Sequence, residues 1–140
     1  MGRYLAVDYG TKRTGVAVTD PLKIIANPLD TVPTHELMNY LSDYIKKEQV
    51  EKLIVGKPVR MDNTASESMR YVQQFANAFK RRFPDVAVEW MDERFTSRLA
   101  ADAMVSGGMK KSERRNKAHV DKISAVIILQ SYLEYQNNME

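Results

Sequence analysis

The stretch "LAVDYGTKRTGVAV", residues 5–18, decides how the fold begins. Two short apolar runs flank a glycine-bounded turn, and this pattern predicts two antiparallel strands over residues 3–8 and 14–19. The first strand ends on a carboxylate, Asp8, rather than on an apolar residue. A carboxylate at that place indicates either a functional site or a side chain that only accepts hydrogen bonds from the turn.

The rest of the sequence alternates between strand and helix periodicity. The predicted elements, in chain order, are strands at 3–8, 14–19 and 24–32, a helix with Thr34 as its N-cap, a strand at 52–56, a helix from about 66, a strand at 86–90, a helix at 96–106 and a last helix ending near 134. A polar tail is expected from about residue 135. Helices between the later strands imply parallel crossovers, whereas the opening meander implies antiparallel neighbours. The prediction is one α/β domain, residues 1–140, with a mixed sheet covered by helices.

Composition excludes several kinds of site. The chain has 140 residues, of which 44% are hydrophobic and 28% charged, which is ordinary for a single globular domain. Cysteine is absent, so disulfides and thiolate metal sites are excluded. The two histidines, His35 and His119, are isolated and are predicted to be surface residues. A hard divalent cation on oxygen ligands is therefore the default expectation for any metal.

No segment of the sequence predicts export or membrane insertion. The N-terminus lacks an apolar signal-peptide region, and no apolar run approaches the roughly 20 residues that span a bilayer. We therefore expect a cytoplasmic protein without a membrane partner.

Positive charge is concentrated late in the chain. The net charge is only +3, but residues 94–122 contain eight lysines or arginines against three acidic residues, a local balance of +5. Such a segment is either a solvated loop or a surface that contacts a polyanion.

Three acidic positions fall at the ends of predicted core elements. Asp8 ends the first strand, Asp92 or Glu93 follows the last strand, and Asp121 lies in the last helix. If the first and last strands lie near each other at the sheet centre, Asp8 and Glu93 could converge. Two carboxylates about 5 Å apart repel by roughly 3 kcal/mol at an effective dielectric constant of about 20, so three together require a cation. Two Mg²⁺ or Mn²⁺ ions would meet that requirement and could act in phosphodiester hydrolysis.

The acids also have purely structural interpretations. Asp121 shares a helix face with Lys117 and Ala125, so it either approaches the sheet beside a small residue or pairs with the lysine on the surface. Asp92 could help to cap the helix for which Thr96 is the better N-cap. The combination of three acids with a basic segment is what favours an enzyme acting on nucleic acid.

Four blocks of the sequence resemble, in order and spacing, the motif blocks of the YqgF family, also called RuvX-like. They are "VDYGTKRTGVAVTD" (7–20), "IVGKPVRMDNTASE" (54–67), "WMDERFTS" (90–97) and "NKAHVDKISAVIILQSYL" (116–133). The resemblance runs from about residue 3 to residue 134. It implies a ribonuclease H-like fold, with a mixed five-stranded sheet and helices on both faces, and a metal-dependent nuclease of the bacterial cytoplasm. Family members are described as nucleases that process the 5′ end of pre-16S ribosomal RNA, with Holliday junction cleavage as the older proposal.

The resemblance also implies roles for individual residues. Asp8, Glu93 and Asp121 correspond to the catalytic acids that hold the Mg²⁺ or Mn²⁺ ions, while a share of Asp92 in metal binding stays open. Where the family commonly has two alanines after the last acid, this chain has Ser124 and an alanine, a small difference in size.

A further set of residues is expected to contact the substrate. These are Gly10, Thr11, Lys12, Arg13, Arg94, Lys110, Lys111, Arg114, Arg115 and Lys117. Gly10 would let the backbone approach the site, and Lys12 or Arg13 could contact phosphate. Arg94 would neutralise charge on the scissile phosphate, and the segment from Lys110 to Lys117 would order the substrate.

Four functions remain open at this point. The first is a nuclease for structured RNA, acting as a monomer or weak homodimer and working with ribosomal precursor particles. The second is a resolvase for four-way DNA junctions, which would favour a symmetric dimer. The third is a non-catalytic nucleic-acid or ribosome-binding module, and retention of three acids argues against it. The fourth is a domain of an actin-like ATPase, because the Asp-x-Gly-Thr stretch also resembles the phosphate loop of that class.

Overall fold

The computed structural model describes residues 2–57, 67–92 and 117–139. Five strands and three helices follow in chain order: β1 (Arg3–Asp8), β2 (Arg13–Thr19), β3 (Ala26–Pro33), α1 (Leu37–Lys47), β4 (Val50–Lys57), α2 (Glu67–Arg82), β5 (Ala87–Asp92) and α3 (Lys117–Met139). The strands form one sheet in the order β3-β2-β1-β4-β5. β1 and β3 run antiparallel to β2, whereas β1, β4 and β5 run parallel to one another. The predicted five-stranded mixed α/β sheet is confirmed.

The central strand β1 is apolar on both sides because helices cover both faces of the sheet. Its side chains alternate: Leu5 and Val7 belong to the core under α1 and α2, whereas Tyr4 and Ala6 belong to the core under α3. The first core is built from larger side chains, such as the fully buried Phe79. The second contains several alanines, which permit close packing of α3: Ala6, Ala17, Ala26 and Ala125.

The position of β5 differs from the expectation. The first and last strands do not lie together at the sheet centre, because β4 lies between β1 and β5 and β5 forms an edge. Two strand spacings, about 10 Å, therefore separate β1 from β5. The parallel register aligns Val7 with Val55 and Val55 with Trp90, so the three strands nevertheless end at the same level. We call this level the carboxyl end of the sheet and the opposite level the amino end.

Two helix boundaries also differ from the predictions. Thr34 is not the N-cap of α1, because it begins a short 3-10 turn (Thr34–Glu36) and the α-helix starts only at Leu37. α3 continues to Met139, through the segment assigned to a polar tail, since that segment lacks the glycine or proline that would stop a helix. The helix predicted at 96–106 lies outside the described residues. None of the described helices is both long and apolar enough to cross a membrane.

Candidate active site

Asp8 ends β1 at the carboxyl end of the sheet. Asp8 pairs with Gly15 of the antiparallel neighbour β2 and is half-buried. In the alternation of the strand it follows Tyr4 and Ala6, so it lies on the face that α3 covers. The next residue, Tyr9, lies on the other face, where its ring stacks on Phe75 with the ring centroids 5.3 Å apart. Burial raises the pKa of the Tyr9 hydroxyl.

The turn after Asp8 is closed by packing of its own backbone. A Cβ atom at Gly10 would collide with the carbonyl oxygen of Arg13, a backbone atom that cannot move aside independently. This contact explains the glycine without reference to a ligand, whereas the sequence analysis assigned it to approach of the backbone to the site. Thr11 and Lys12 lie exposed in the turn, and Arg13 begins β2. The structure thus brings Asp8 and the four predicted turn residues together.

Two threonines hold this turn in place. The Thr34 hydroxyl donates a hydrogen bond to the carbonyl of Gly10, and the Thr34 N–H donates to the carbonyl of Lys12 over 3.0 Å. The Thr14 and Thr34 hydroxyl oxygens are 3.0 Å apart. Because Thr34 has one hydroxyl proton and uses it on Gly10, Thr14 is the donor in that pair. Neither role is predictable from the sequence, since only the pairing of β2 with β3 brings position 34 to the turn.

α3 carries position 121 toward the same end of the sheet. Near its other end, the ring of Tyr132 packs against that of Tyr4 with the centroids 6.0 Å apart, and Ala125 is buried against the sheet. Helices rise about 1.5 Å per residue, so position 121 lies about 16 Å along the axis from Tyr132. Four strand residues, from Tyr4 to Asp8, span a comparable distance of roughly 13 Å. From these two lengths we expect the backbone at position 121 at about the level of Asp8.

Several predicted site residues fall outside the part of the chain that the structure describes. They are Glu93, Arg94, Lys110, Lys111, Arg114 and Arg115, together with the side chains of Asp92, Lys117, His119 and Asp121. Within the described residues, no group of three or more histidine, cysteine, aspartate or glutamate side chains is placed to hold a metal ion. His35 is exposed, as predicted, with its Nε2 atom 4.0 Å from the carboxylate of Glu36.

Comparison with known proteins decides the family. The sequence profile described as "RuvX: Holliday junction resolvase" matches residues 2–135. The chain belongs to the RuvX family. Two relatives carry the name "Putative pre-16S rRNA nuclease". The one from Phocaeicola vulgatus is 60% identical over 134 residues, and the match covers 96% of this chain and 96% of the relative. The one from Bacteroides thetaiotaomicron is 56% identical over 134 residues, and the match covers 96% of this chain and 97% of the relative. The RuvX family is a nuclease family, so the predicted enzyme class is confirmed.

A solved structure supports the fold of this RuvX family member. It is "T. thermophilus RuvC in complex with Holliday junction substrate", with a TM-score of 0.59 and 14% sequence identity over 97% of this chain and 96% of that one. At this level of identity the likeness establishes the architecture alone. The predicted ribonuclease H-like fold is confirmed.

The amino end of the sheet carries a second polar cluster, which the sequence analysis did not identify. The Lys52 ammonium donates to the Tyr132 hydroxyl over 2.9 Å and to the Glu89 carboxylate over 3.4 Å, and Tyr132 in turn donates to Glu89. The same ammonium lies 5.3 Å from the centroid of the Tyr4 ring. Burial lowers the pKa of Lys52, but the hydrogen bond to Tyr132 and the Glu89 charge outweigh it and the pKa is raised. Burial and the bond to Glu89 raise the pKa of Tyr132.

The connection between β2 and β3 lies at the same amino end. The Asp20 carboxylate accepts hydrogen bonds from the N–H groups of Leu22, Ile24 and Ile25, at 3.1, 2.8 and 2.9 Å. These bonds, led by the one from Ile25, hold the pKa of Asp20 below its usual value. Lys23, inside this ring of bonds, has a φ of 61° and forms an ion pair of 2.9 Å with Glu51. At this end Asp20 is thus hydrogen-bonded to backbone N–H groups, and Lys23 is paired with Glu51.

Proposed function

We propose that this RuvX family nuclease hydrolyses phosphodiester bonds in the 5′ region of pre-16S ribosomal RNA, with its active site at the carboxyl end of the sheet. The observation that carries the location is the position of Asp8. It ends the central strand, on the face covered by α3, at about the level expected for position 121 of that helix. Carboxyl ends of sheet strands are where α/β folds build sites.

The proposed metal ligands are Asp8, Glu93 and Asp121. Several observations fit this group. A half-buried carboxylate ends β1, and position 121 lies one helical turn before the buried Ala125. Glu89 and Met91 of β5 serve the α3 side of the sheet, and Glu93 follows Met91 two residues later in the sequence. Carboxylate oxygens are the ligands that Mg²⁺ and Mn²⁺ prefer.

When bound, two such ions would stabilise both the attacking and the leaving oxygens of the phosphodiester. The contribution of the chain is to hold its acids in place, which without a cation would repel one another. Gly10, Thr11, Lys12 and Arg13 form the turn beside Asp8, and exposed Lys12 is available to a phosphate of the substrate. We assign Arg94 to charge neutralisation at the scissile phosphate.

The basic segment is proposed to bind the substrate along its length. Its members are Lys110, Lys111, Arg114, Arg115 and Lys117. Lysine and arginine side chains provide salt-dependent affinity for phosphates without reading sequence. The enzyme would work in the bacterial cytoplasm on ribosomal precursor particles, as a monomer or weak homodimer. The names of the relatives support this assignment, because both refer to pre-16S ribosomal RNA.

A second candidate substrate is a four-way DNA junction. The description of the matched family favours it, since that description reads "Holliday junction resolvase". The choice between RNA and DNA depends on groove shape and on contacts with the 2′-hydroxyl, neither of which the acids of the active site determine.

The deciding experiment compares the two substrates directly. Purified protein is incubated with Mg²⁺ or Mn²⁺ and either a 5′ segment of a ribosomal RNA precursor or a four-way DNA junction. Asp8→Asn tests the site, and Asp20→Asn, at the amino end of the sheet, is the matched control. We expect cleavage of the RNA alone, its loss in Asp8→Asn and its retention in Asp20→Asn. Cleavage of the junction alone would replace the RNA assignment, and full activity of Asp8→Asn would refute the site.

A further inference from the structure

The turn that follows Asp8 is held by a residue from a distant part of the sequence. Thr34 makes two hydrogen bonds to carbonyls of this turn: its hydroxyl donates to Gly10 and its N–H to Lys12. Twenty-four residues separate Thr34 from Gly10 along the chain. The contact exists because β3 ends beside the start of β2, where Arg13 pairs with Pro33.

The support behind Thr34 is itself buried. Thr14 is fully excluded from solvent, and its hydroxyl donates to Thr34, whose single proton is then directed at Gly10. Thr14 thus donates to Thr34, and Thr34 donates to Gly10, so the two hydrogen bonds run in the same direction. A hydrogen-bond chain of this kind fixes the orientation of each member.

The turn has little room to adopt another shape. A Cβ atom at Gly10 would meet the carbonyl oxygen of Arg13, so the backbone of the turn is already in close contact with itself. On its other side the turn is anchored by the stack of Tyr9 on Phe75. Gly10 is only two residues from Asp8, so the Thr34 hydrogen bond and the Tyr9 stack together restrain the short backbone segment that follows Asp8.

We infer that Thr34 is a positioning residue of the nuclease: through its hydroxyl it fixes the turn of residues 9–12 and thereby the Asp8 carboxylate and the Lys12 backbone. This inference rests on the proposed function, in which Asp8 is a metal ligand. Thr34 touches neither the metal nor the substrate. Groups that hydrogen-bond a metal ligand directly typically change metal affinity or activity about 10- to 100-fold when removed, and because Thr34 acts through Gly10 we expect the lower end of that range.

The test replaces the hydroxyl and keeps the shape of the side chain. Thr34→Val removes the donor to Gly10, and Thr34→Ser restores it. Thr19→Val is the matched control, because the fully buried Thr19 also uses its hydroxyl on the backbone, accepting from the N–H of Tyr4 over 3.0 Å, but at the amino end. For each variant, kcat, KM, the Mn²⁺ concentration for half-maximal cleavage, Tm and amide exchange at residues 10–14 are measured.

We expect Thr34→Val to lower kcat at least about tenfold and to raise the half-maximal Mn²⁺ concentration, with faster exchange at residues 10–14. Thr34→Ser should stay within about threefold of the wild type in kcat, in the half-maximal Mn²⁺ concentration and in the exchange rate at residues 10–14. Thr19→Val should lower Tm without a change in Mn²⁺ dependence. A purely structural role would make the two valine variants alike, and that result would overturn the inference.

Failure of the inference and failure of the proposed function give different results. If the wild type cleaves and Thr34→Val matches it in kcat and Mn²⁺ dependence, only the role of Thr34 is refuted. If the wild type cleaves neither RNA nor junction with either metal, the proposed function fails, and the positioning role of Thr34 fails with it.

Discussion

The two ends of the sheet both carry polar side chains, but they use them differently. At the amino end, charged groups meet partners within the chain: Asp20 accepts three backbone N–H groups, and Lys52 donates to Tyr132 and Glu89. At the carboxyl end, neutral hydroxyls and carbonyls hold the turn beside Asp8, and Lys12 is exposed. The difference teaches that a polar cluster in this fold is not by itself a site. At the carboxyl end, where we propose the active site, the hydrogen bonds of Thr34 hold the backbone of the turn and the side chain of Lys12 is exposed.

The largest contrast should appear in metal binding. We expect Asp8→Asn to weaken Mn²⁺ binding at least about 100-fold, because it removes a charged ligand, whereas Asp20→Asn should leave it unchanged. Titration calorimetry of the full chain measures both. Equal losses in the two variants would mean that the site has been placed at the wrong end of the sheet.

A pair of glycines sharpens the comparison. Gly10→Ala drives Cβ into the backbone oxygen of Arg13, whereas Gly2→Ala meets the flexible Cγ of Glu51 at 2.5 Å and its N atom at 3.1 Å. We expect Gly10→Ala to cost about 2 kcal/mol or more in the free energy of unfolding and to impair cleavage, and Gly2→Ala to cost about 1 kcal/mol or less with full activity. Urea unfolding and cleavage assays measure these effects. The reverse order would show that the turn at Gly10 adapts readily.

At the amino end, the hydrogen bonds to Asp20 should make the stability of the protein depend on pH in the acid range. The pKa of Asp20 lies below its ordinary value of 3.8, so its stabilising contribution is complete above that pH and is lost as the pH falls through the lower folded value. We expect Asp20→Asn to lower Tm at neutral pH, and the difference from the wild type to shrink below pH 3.8. Thermal unfolding from pH 7 to pH 2.5 checks this. A difference independent of pH would contradict it.

The smallest effect concerns alkaline stability. The pKa values of Lys52 and Tyr132 are raised above their ordinary values of 10.5 and 10.0, so their contribution is present below pH 10 and is lost as the pH rises through the folded values. Lys52→Met keeps the apolar stem, and we expect it to cost less than about 1 kcal/mol at pH 7. Above pH 10 the variant should lose stability less steeply than the wild type. If stability fell equally steeply with pH in the wild type and in Lys52→Met, the raised pKa values would not contribute to stability as proposed.

Much of the fold could be predicted from local pattern. Alternation and apolar runs identified β1, β2 and β4, and helical spacing of Phe75 and Phe79 identified α2, because burial on one face imposes a period on the sequence. The boundary at Thr34 could not be predicted in the same way. A threonine before a helical pattern has the chemistry of an N-cap, but here its hydroxyl is engaged by Gly10.

In the candidate site, too, some residues could be predicted from a single segment of the sequence and others could not. Asp8 was identified because a carboxylate interrupts an apolar pattern at a strand end, a signal that a single segment contains. The support from Thr34 and Thr14, and the cluster around Lys52, gave no such signal. Their members come from different strands and helices, so nothing in any one segment relates them.

By itself, the sequence determined the class of fold, the family and the carboxylate that ends the first strand, because each depends on residue types and spacings within continuous segments. The tertiary structure alone decided that β4 separates β1 from β5 and that Thr34 closes the turn beside Asp8. The physical reason is that strand order and side-chain contacts between distant segments are set by packing of the two faces of the sheet, and a linear pattern carries no record of which distant residues that packing brings together.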